Sequence, residues 1–297
     1  MNMKRTTLEK VFDVINIFGM FLIVVIMLYP IWNTLVISFN DARDTIRGGI
    51  TLWPRVWSMF NYQSVFKNEY LLDAFFVSVV RTVISVVINV LSAGLLAYIL
   101  SRNEFVLRKF LTIFMILTMY VSAGLIPQFF LIRDLGLYNN FWVYVLPGMV
   151  GPFNVIVVRT YIKSLPGSLV EAAKIDGAGE LRIFLSIIFP LCLPVLATIA
   201  LWVGVGAWNS WFDSFIFAPA QQHSTLQYEL MKMLSASMQF GANQAPEYMM
   251  PGQEMRNIVT PNSIRAAMTI VATVPILFVY PFLQKYFVTV NIGSVKE

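Results

Sequence analysis

The sequence is short of charge. Of its 297 residues, 58% are hydrophobic and only 12% are Asp, Glu, Lys or Arg, about half the charged share of a soluble domain. A water-soluble globular enzyme does not cover its surface with so few charges, and a disordered chain has the opposite balance. What remains is an integral membrane protein. Cysteine is nearly absent. Cys192 is alone, which excludes an internal disulfide and a cysteine-based metal cluster; its apolar setting predicts a small buried thiol. Histidine is equally scarce. His223 stands by itself in a polar segment, so no multi-histidine metal site is available, no metal is expected, and an intramembrane enzyme lacks its cluster. No cleavable signal peptide is expected, because the first apolar run is too long for a signal core and has no A-x-A-like exit. No acidic or basic residue sits in the middle of an apolar run, which argues against a proton-coupled carrier. The G-x-x-x-x-G-K-[ST] phosphate loop is missing, so the chain binds no nucleotide cofactor of that kind, and any ATP hydrolysis belongs to a partner.

The apolar residues fall in six runs, 14–37, 82–100, 110–132, 141–158, 183–206 and 266–284, of about the length a membrane helix needs. They carry no alternation and are too long for barrel strands. The expectation is an all-α polytopic protein, a single transmembrane domain over 1–297 with six spans. Of the Lys and Arg residues, 12 lie in the N-terminus, 101–109, 159–182 and the C-terminus, against 9 spread over the longer remaining segments. The denser set predicts cytoplasmic termini and a cytoplasmic 159–182 loop. Segment 208–265 is then a long outer loop, of the length that is more often functional than idle. Ser85, Asn89, Ser92 and Gly94 form one stripe of the second run, which reads as close helix packing.

The informative stretch is the 164–182 loop. Ser168 followed by Glu171 has the spacing of a capping box, a short helix is expected over 169–175, and Gly177 is placed to end it in a left-handed conformation. Another helix is expected from Glu180. The result is a helix–turn–helix elbow with small residues, Ala172, Ala173 and Gly177, open to close approach. Glu171 has two readings: it closes the box, or it also reaches a basic group on a partner. Asp176 opposes the helix dipole, so helix stability does not explain it, although it also suits the turn at Gly177.

Here the sequence resembles a family. Glu171-Ala172-Ala173, Asp176-Gly177-Ala178, Phe184, Ile187 and Pro190 look like the EAA loop of ABC-importer permeases. Leu28-Tyr29-Pro30, Leu100-Ser101-Arg102, Leu135-Gly136-Leu137, Pro152-Phe153-Asn154 and Trp208-Asn209 are similar to its carbohydrate (MalG-like) branch, within it the LplC/YtcP-like group, over nearly the whole chain. The resemblance implies a MetI-like permease fold and a coupling helix, carried here by Glu171, Ala172, Ala173, Asp176 and Gly177, seated on a cytoplasmic ABC ATPase dimer that uses ATP and Mg. It implies a homologous second permease as heterodimer partner, an extracellular or periplasmic solute-binding protein, and a bacterial plasma (inner) membrane location. The cargo it implies is a sugar or oligosaccharide, uronic-acid-containing fragments of pectin or alginate included. Segment 220–258 is the expected contact with the binding protein.

Sugars bind by ring stacking and by hydrogen bonds from polar side chains. Trp208, Asn209, Trp211 and Asp213 follow the fifth run and are candidate substrate-path residues, although tryptophans also gather at membrane interfaces. Arg133, Arg256 and Arg265 are candidates to face an acidic sugar. The EAA loop is shared by permeases for peptides, amino acids and phosphate, so a non-sugar solute is the alternative; a stand-alone channel has no use for such a loop.

Overall fold

The structure, a computed structural model, describes residues 7–243 and 260–293. Among these the chain is all-α, with one isolated antiparallel bridge between Asn40 and Trp57. In chain order the helices are α1 (Thr7–Ser38), α2 (Ala42–Ile46), α3 (Phe60–Phe66), α4 (Leu71–Ser101), α5 (Arg108–Tyr120), α6 (Leu125–Asp134), α7 (Pro152–Ser164), α8 (Ser168–Ile175), α9 (Glu180–Ile183), α10 (Phe189–Leu191), α11 (Leu193–Asn209), α12 (Phe212–Phe217), α13 (Leu226–Asn243) and α14 (Pro261–Gly293). Phe184–Ile188 is π-helical, and Phe141–Tyr144 and Gln221–His223 are 3-10 turns. Residues 244–259, with Arg256 and the 244–258 part of the expected 220–258 contact segment, lie outside the described residues.

Three of the apolar runs fold otherwise than as continuous helices. Leu8–Ser38, Leu71–Ser101 and Pro261–Val279 are long and apolar enough to cross a membrane, and the bent pair Glu180–Leu191 and Leu193–Asn209 is a fourth when taken as one span. α4 starts at Leu71 rather than at residue 82 and so takes in Arg81. The run 110–132 breaks after Tyr120. Gly124 has φ +83°, and Pro127 lies in the first turn of α6, where its missing N–H has no helical partner to lose. The run 141–158 breaks more deeply: Pro147, Gly148 and Gly151 keep Val145 to Gly151 out of a helix until Pro152 opens α7. The run 183–206 bends by 77° between Leu191 and Leu193, because Pro190 and Pro194 remove two successive-turn N–H donors and a π-helical segment precedes them.

Non-helical backbone among apolar surroundings needs hydrogen-bond partners, and α4 supplies them. Asn89 Nδ2 donates to the Gly148 carbonyl at 2.8 Å, and Ser92 Oγ donates to the Met149 carbonyl at 2.6 Å. Ser85 Oγ donates to the Tyr144 carbonyl over a longer 3.5 Å. Asn154 Nδ2, on α7, donates to Asn89 Oδ1 at 2.8 Å. The polar stripe of α4 is thus a bracket for the broken run. Gly94 completes it by letting the Phe189 ring approach to 3.4 Å from where a Cβ would stand.

The chain divides into two compact units. One combines residues up to Glu69 with Lys232–Val274. Its buried centre includes Val36, Ser38, Asn40, Asn61, Val65, Ala267 and Met268. Asn61 Nδ2 donates to the Ser38 and Asn40 carbonyls at 3.0 and 2.9 Å, which ties the end of α1 to α3. The other unit, Tyr70–Met231 with the chain from Pro275, is organised around α4, which packs on α7 and α11. Ala93 and Ala97 of α4, Val155 and Val158 of α7, and Ile199 of α11 are fully buried there, and the small residues let the helices approach closely.

Asn89 is the partner of two polar groups that have no other among the described residues. Replacing it by Leu is expected to strand the Gly148 carbonyl and the Asn154 amide and to cost about 2 kcal/mol or more. Thermal unfolding of the purified protein reads the loss; Ser85→Ala, at the long contact, shifts the midpoint far less.

Candidate functional site

The elbow is present. α7 ends at Ser164, Leu165 and Pro166 turn the chain, and α8 runs over Ser168–Ile175. The capping box is not formed. The cap residue is Gly167, with no side-chain cap bond, and Ser168 is the first helical residue. The helix opens instead with the Val170 and Glu171 N–H groups donating to the Gly167 carbonyl at 3.0 and 3.2 Å. The Pro-Gly pair sets this turn, and it leaves Ser168 one position too late to cap. The far end is as expected. Gly177 has φ +76°, the Ala178 N–H donates to the Ala173 carbonyl and the Gly177 N–H to the Lys174 carbonyl, both at 3.0 Å, the paired bonds of a Schellman motif. Open space surrounds Gly177, so its requirement is backbone conformation alone, worth about 1 kcal/mol against an L-residue.

α8 is docked through one face. Val170 and Ala173 are buried in the core shared with α4, α7 and α11, while Glu171, Ala172, Asp176 and Gly177 are exposed. The side chains of Glu171 and Asp176 make no hydrogen bond or ion pair among the described residues. Glu171 lines a polar pocket of about 500 Å³ between the Ser101–Glu104 turn and α8.

A charged cluster that sequence reasoning missed fixes the elbow. Lys174 Nζ lies 3.2 Å from Glu104 Oε1 and 3.0 Å from Glu180 Oε1. Arg102 Nε stands 3.9 Å from Glu104 Oε2 and 4.0 Å from Glu180 Oε2, and the Tyr98 hydroxyl donates to Glu180 Oε2. Its members come from α4, the turn after it, α8 and α9, up to 82 positions apart; no local pattern announces them. Its bonds to Glu180 and then Glu104 hold Lys174 above the usual lysine value. Glu104 is held below the usual carboxylate range, first by its own backbone N–H and then by Lys174. A raised lysine loses its contribution as pH climbs through the raised value, and a lowered carboxylate loses its own as pH falls through the lowered one. The cluster therefore persists through the neutral range. Nearby, Arg159 Nε donates to the Leu100 carbonyl at 2.9 Å and closes the end of α4.

The candidate substrate-path residues are not gathered on one surface. Trp208 is buried against Phe75, ring edge to face at 5.9 Å, and walls an apolar cavity of about 370 Å³ with Val83, Gly204 and Pro275. Asp213 Oδ2 is paired with Arg81 at 2.6 Å and accepts from Ser210 Oγ at 2.8 Å. Asn209 is exposed and Trp211 half-buried beside Phe212 and Phe215. Arg81 is itself 3% exposed and lies 4.3 Å from the Tyr144 ring centre. The only sequence signal for it was a cation one residue before an apolar run. Of the candidate arginines, Arg133 pairs with Asp134 at 3.1 Å, and Arg265 has no acidic partner among the described residues. Cys192 is buried at the bend between α10 and α11.

This fold, with its exposed short helix between two apolar helical regions, is that of a membrane transport subunit. Residues 89–290 match the family described as binding-protein-dependent transport system inner membrane component. The chain belongs to this family. It is 32% identical over 291 residues to the polygalacturonan/rhamnogalacturonan transport system permease protein YtcP of Bacillus subtilis strain 168, covering 97% of this chain and 99% of that one. It is 33% identical over 296 residues to protein LplC of the same organism, covering 99% and 98%. Its fold is similar, with TM-score 0.80 and 27% identity, to a chain in the crystal structure of a bacterial ABC transporter involved in the import of the acidic polysaccharide alginate, covering 96% of this chain and 100% of that one. Membership makes the protein a non-enzymatic permease subunit of the inner membrane, with ATP hydrolysis performed by a partner ATPase.

Lys174→Met is expected to release α8 from the turn after α4. Amide hydrogen exchange over 168–177 should rise in the variant and stay near wild type in Lys174→Arg, with the buried contacts of Val170 and Ala173 keeping the overall fold.

Proposed function

We propose that this permease imports a sugar or oligosaccharide, with α8 as the helix through which an ATPase drives it. The observation that carries the coupling role is the exposed carboxylate of Glu171. It stands on a helix docked by its opposite face, beside a polar pocket, with no partner of its own among the described residues. Its local use as a cap has gone, and a carboxylate in the first turn of α8 is left to meet a basic group on the ATPase. Asp176 and Gly177 shape the turn that presents it, and the small Ala172 leaves room for the partner's backbone. ATP and Mg then act on the ATPase dimer, none on this chain. A homologous second permease completes the path as a heterodimer, and a solute-binding protein delivers the cargo. The names of the relatives support the cargo class, acidic oligosaccharides included.

Within this reading the two units form one permease domain with six crossings. The third and fourth are the broken runs α5–α6 and 141–164, the fifth the bent α9–α11, and both termini and the elbow face the cytoplasm. The bracket of α4 supports a crossing by a broken run, since it pairs the carbonyls that a bilayer leaves unsatisfied. Trp208, Asn209, Trp211 and Asp213 remain proposed path residues, Asn209 and Trp211 by contact and the other two by holding the wall.

Glu171→Gln and Glu171→Ala separate charge from structure. With no cap bond to lose, both should leave the permease folded and both should depress sugar-stimulated ATP hydrolysis about equally in the reconstituted transporter, while cargo binding to the solute-binding protein stays unchanged. Normal stimulation in both variants would remove the coupling role.

The orientation has its own check. In a Cys192→Ser background, a cysteine introduced in place of Lys174 should react with a membrane-impermeant maleimide only after the cells are opened. Labelling in intact cells would reverse the assignment.

A further inference from the structure

The first unit contains a pocket of about 310 Å³ walled by the end of α1, the 48–50 turn and the beginning of α14, in the size range of small-molecule sites. No acidic residue lines it. Arg265 does, exposed and without a carboxylate among the described residues, whereas Arg55, Arg81 and Arg133 are paired with Asp44, Asp213 and Asp134. Arg265 falls in the first two turns of α14, which has no acidic residue in its first turn. A cation there runs against the helix dipole, so helix stability does not account for it.

The polar inventory of the wall points the same way. Two of its carbonyl acceptors are taken: that of Gly48 by Arg55 Nη2 at 2.6 Å, and that of Ile50 by Asn33 Nδ2 at 2.9 Å. The N–H groups of Gly49 and Ile50 and the amide of Asn262 have no partner among the described residues. The hydroxyls of Thr34, Thr45 and Thr269 donate to the carbonyls of Pro30, Asp41 and Arg265; Thr45 Oγ1 also accepts from Asn40 Nδ2 at 3.0 Å, which leaves Thr34 and Thr269 with lone pairs toward any hydroxyl-bearing guest. Free donors and a free guanidinium suit an anion, and free hydroxyl lone pairs suit the hydroxyls of a sugar ring.

We propose that this pocket is a subsite for a uronic acid residue of the cargo, with Arg265 receiving the carboxylate. The assignment rests on the sugar-import reading above and on the orientation that puts the start of α14 at the outer face. It names what that reading leaves open: which charge the permease itself selects.

The test uses the complete transporter, both permeases, ATPase and binding protein, in proteoliposomes, with trigalacturonate and its fully methyl-esterified form as probes. The wild type should import trigalacturonate. Arg265→Gln should raise the KM for trigalacturonate about ten-fold, the loss expected for one charge-assisted pair, with kcat little changed and the methyl ester handled as by wild type. Arg265→Lys should recover part of the loss, since it keeps the charge but not the two-pronged geometry. Equal losses on both probes would make Arg265 a structural residue and overturn the subsite, as would no loss on either. A wild type that imports only the ester keeps the sugar reading and overturns the subsite. A wild type that imports neither probe, nor any neutral oligosaccharide, overturns both.

Discussion

Asn89 carries the constraint on which the second unit depends. A chain this apolar leaves its backbone polar groups nowhere to go except to one another. Pro147, Gly148 and Gly151 make a helix impossible across residues 145–151, so those carbonyls fall to side chains. Asn89 takes one carbonyl through its amide nitrogen and the Asn154 amide through its oxygen. A single residue of α4 thereby fixes both the irregular segment and the start of α7. The close packing of Ala93, Gly94 and Ala97 follows from the same register, because these residues stand one to two turns further along α4.

The elbow inherits its position from that core. Val170 and Ala173 enter the cluster built by α4, α7 and α11, and Lys174 ties the same helix to Glu104 and Glu180. α8 is therefore not a loop hung beneath the molecule but a surface of the body formed by α4, α7 and α9. A force applied to its exposed face would be passed on through packed side chains and an ion network, as the proposed coupling role requires. The exposed carboxylate of Glu171 is the group the fold leaves unused.

Much of this was legible in the sequence, and the failures have physical reasons. The helix class, the short helix after residue 167, the left-handed Gly177 and the packing role of the α4 stripe all follow from short-range chemistry: apolar runs, a glycine after a helix, small and polar residues at helical spacing. The capping box failed because the Pro166-Gly167 turn starts the helix one residue early, and a cap is sensitive to a shift of one. The continuous third, fourth and fifth runs failed because hydropathy counts composition and ignores proline and glycine within it. The Lys174 cluster and the Arg81–Asp213 pair were out of reach. Their partners lie 70 and 132 positions apart, and only the tertiary fold brings them together.

Those two ionic sites hold α4 at opposite ends, and they differ in strength. The Lys174 cluster is exposed, its carboxylates 66% and 54% so, and exposed pairs contribute about 0–1 kcal/mol each. Arg81 is buried, over the Tyr144 ring, and losing its carboxylate would strand a guanidinium at a cost of about 3 kcal/mol, the lower end of the range because Asp213 is 38% exposed. The Tyr144 hydroxyl, bonded to Ser214 Oγ and to the His223 carbonyl, braces the same end further. The end of α4 beside the elbow is thus joined by contacts that exchange readily with solvent, and the end beside α12 by contacts that do not.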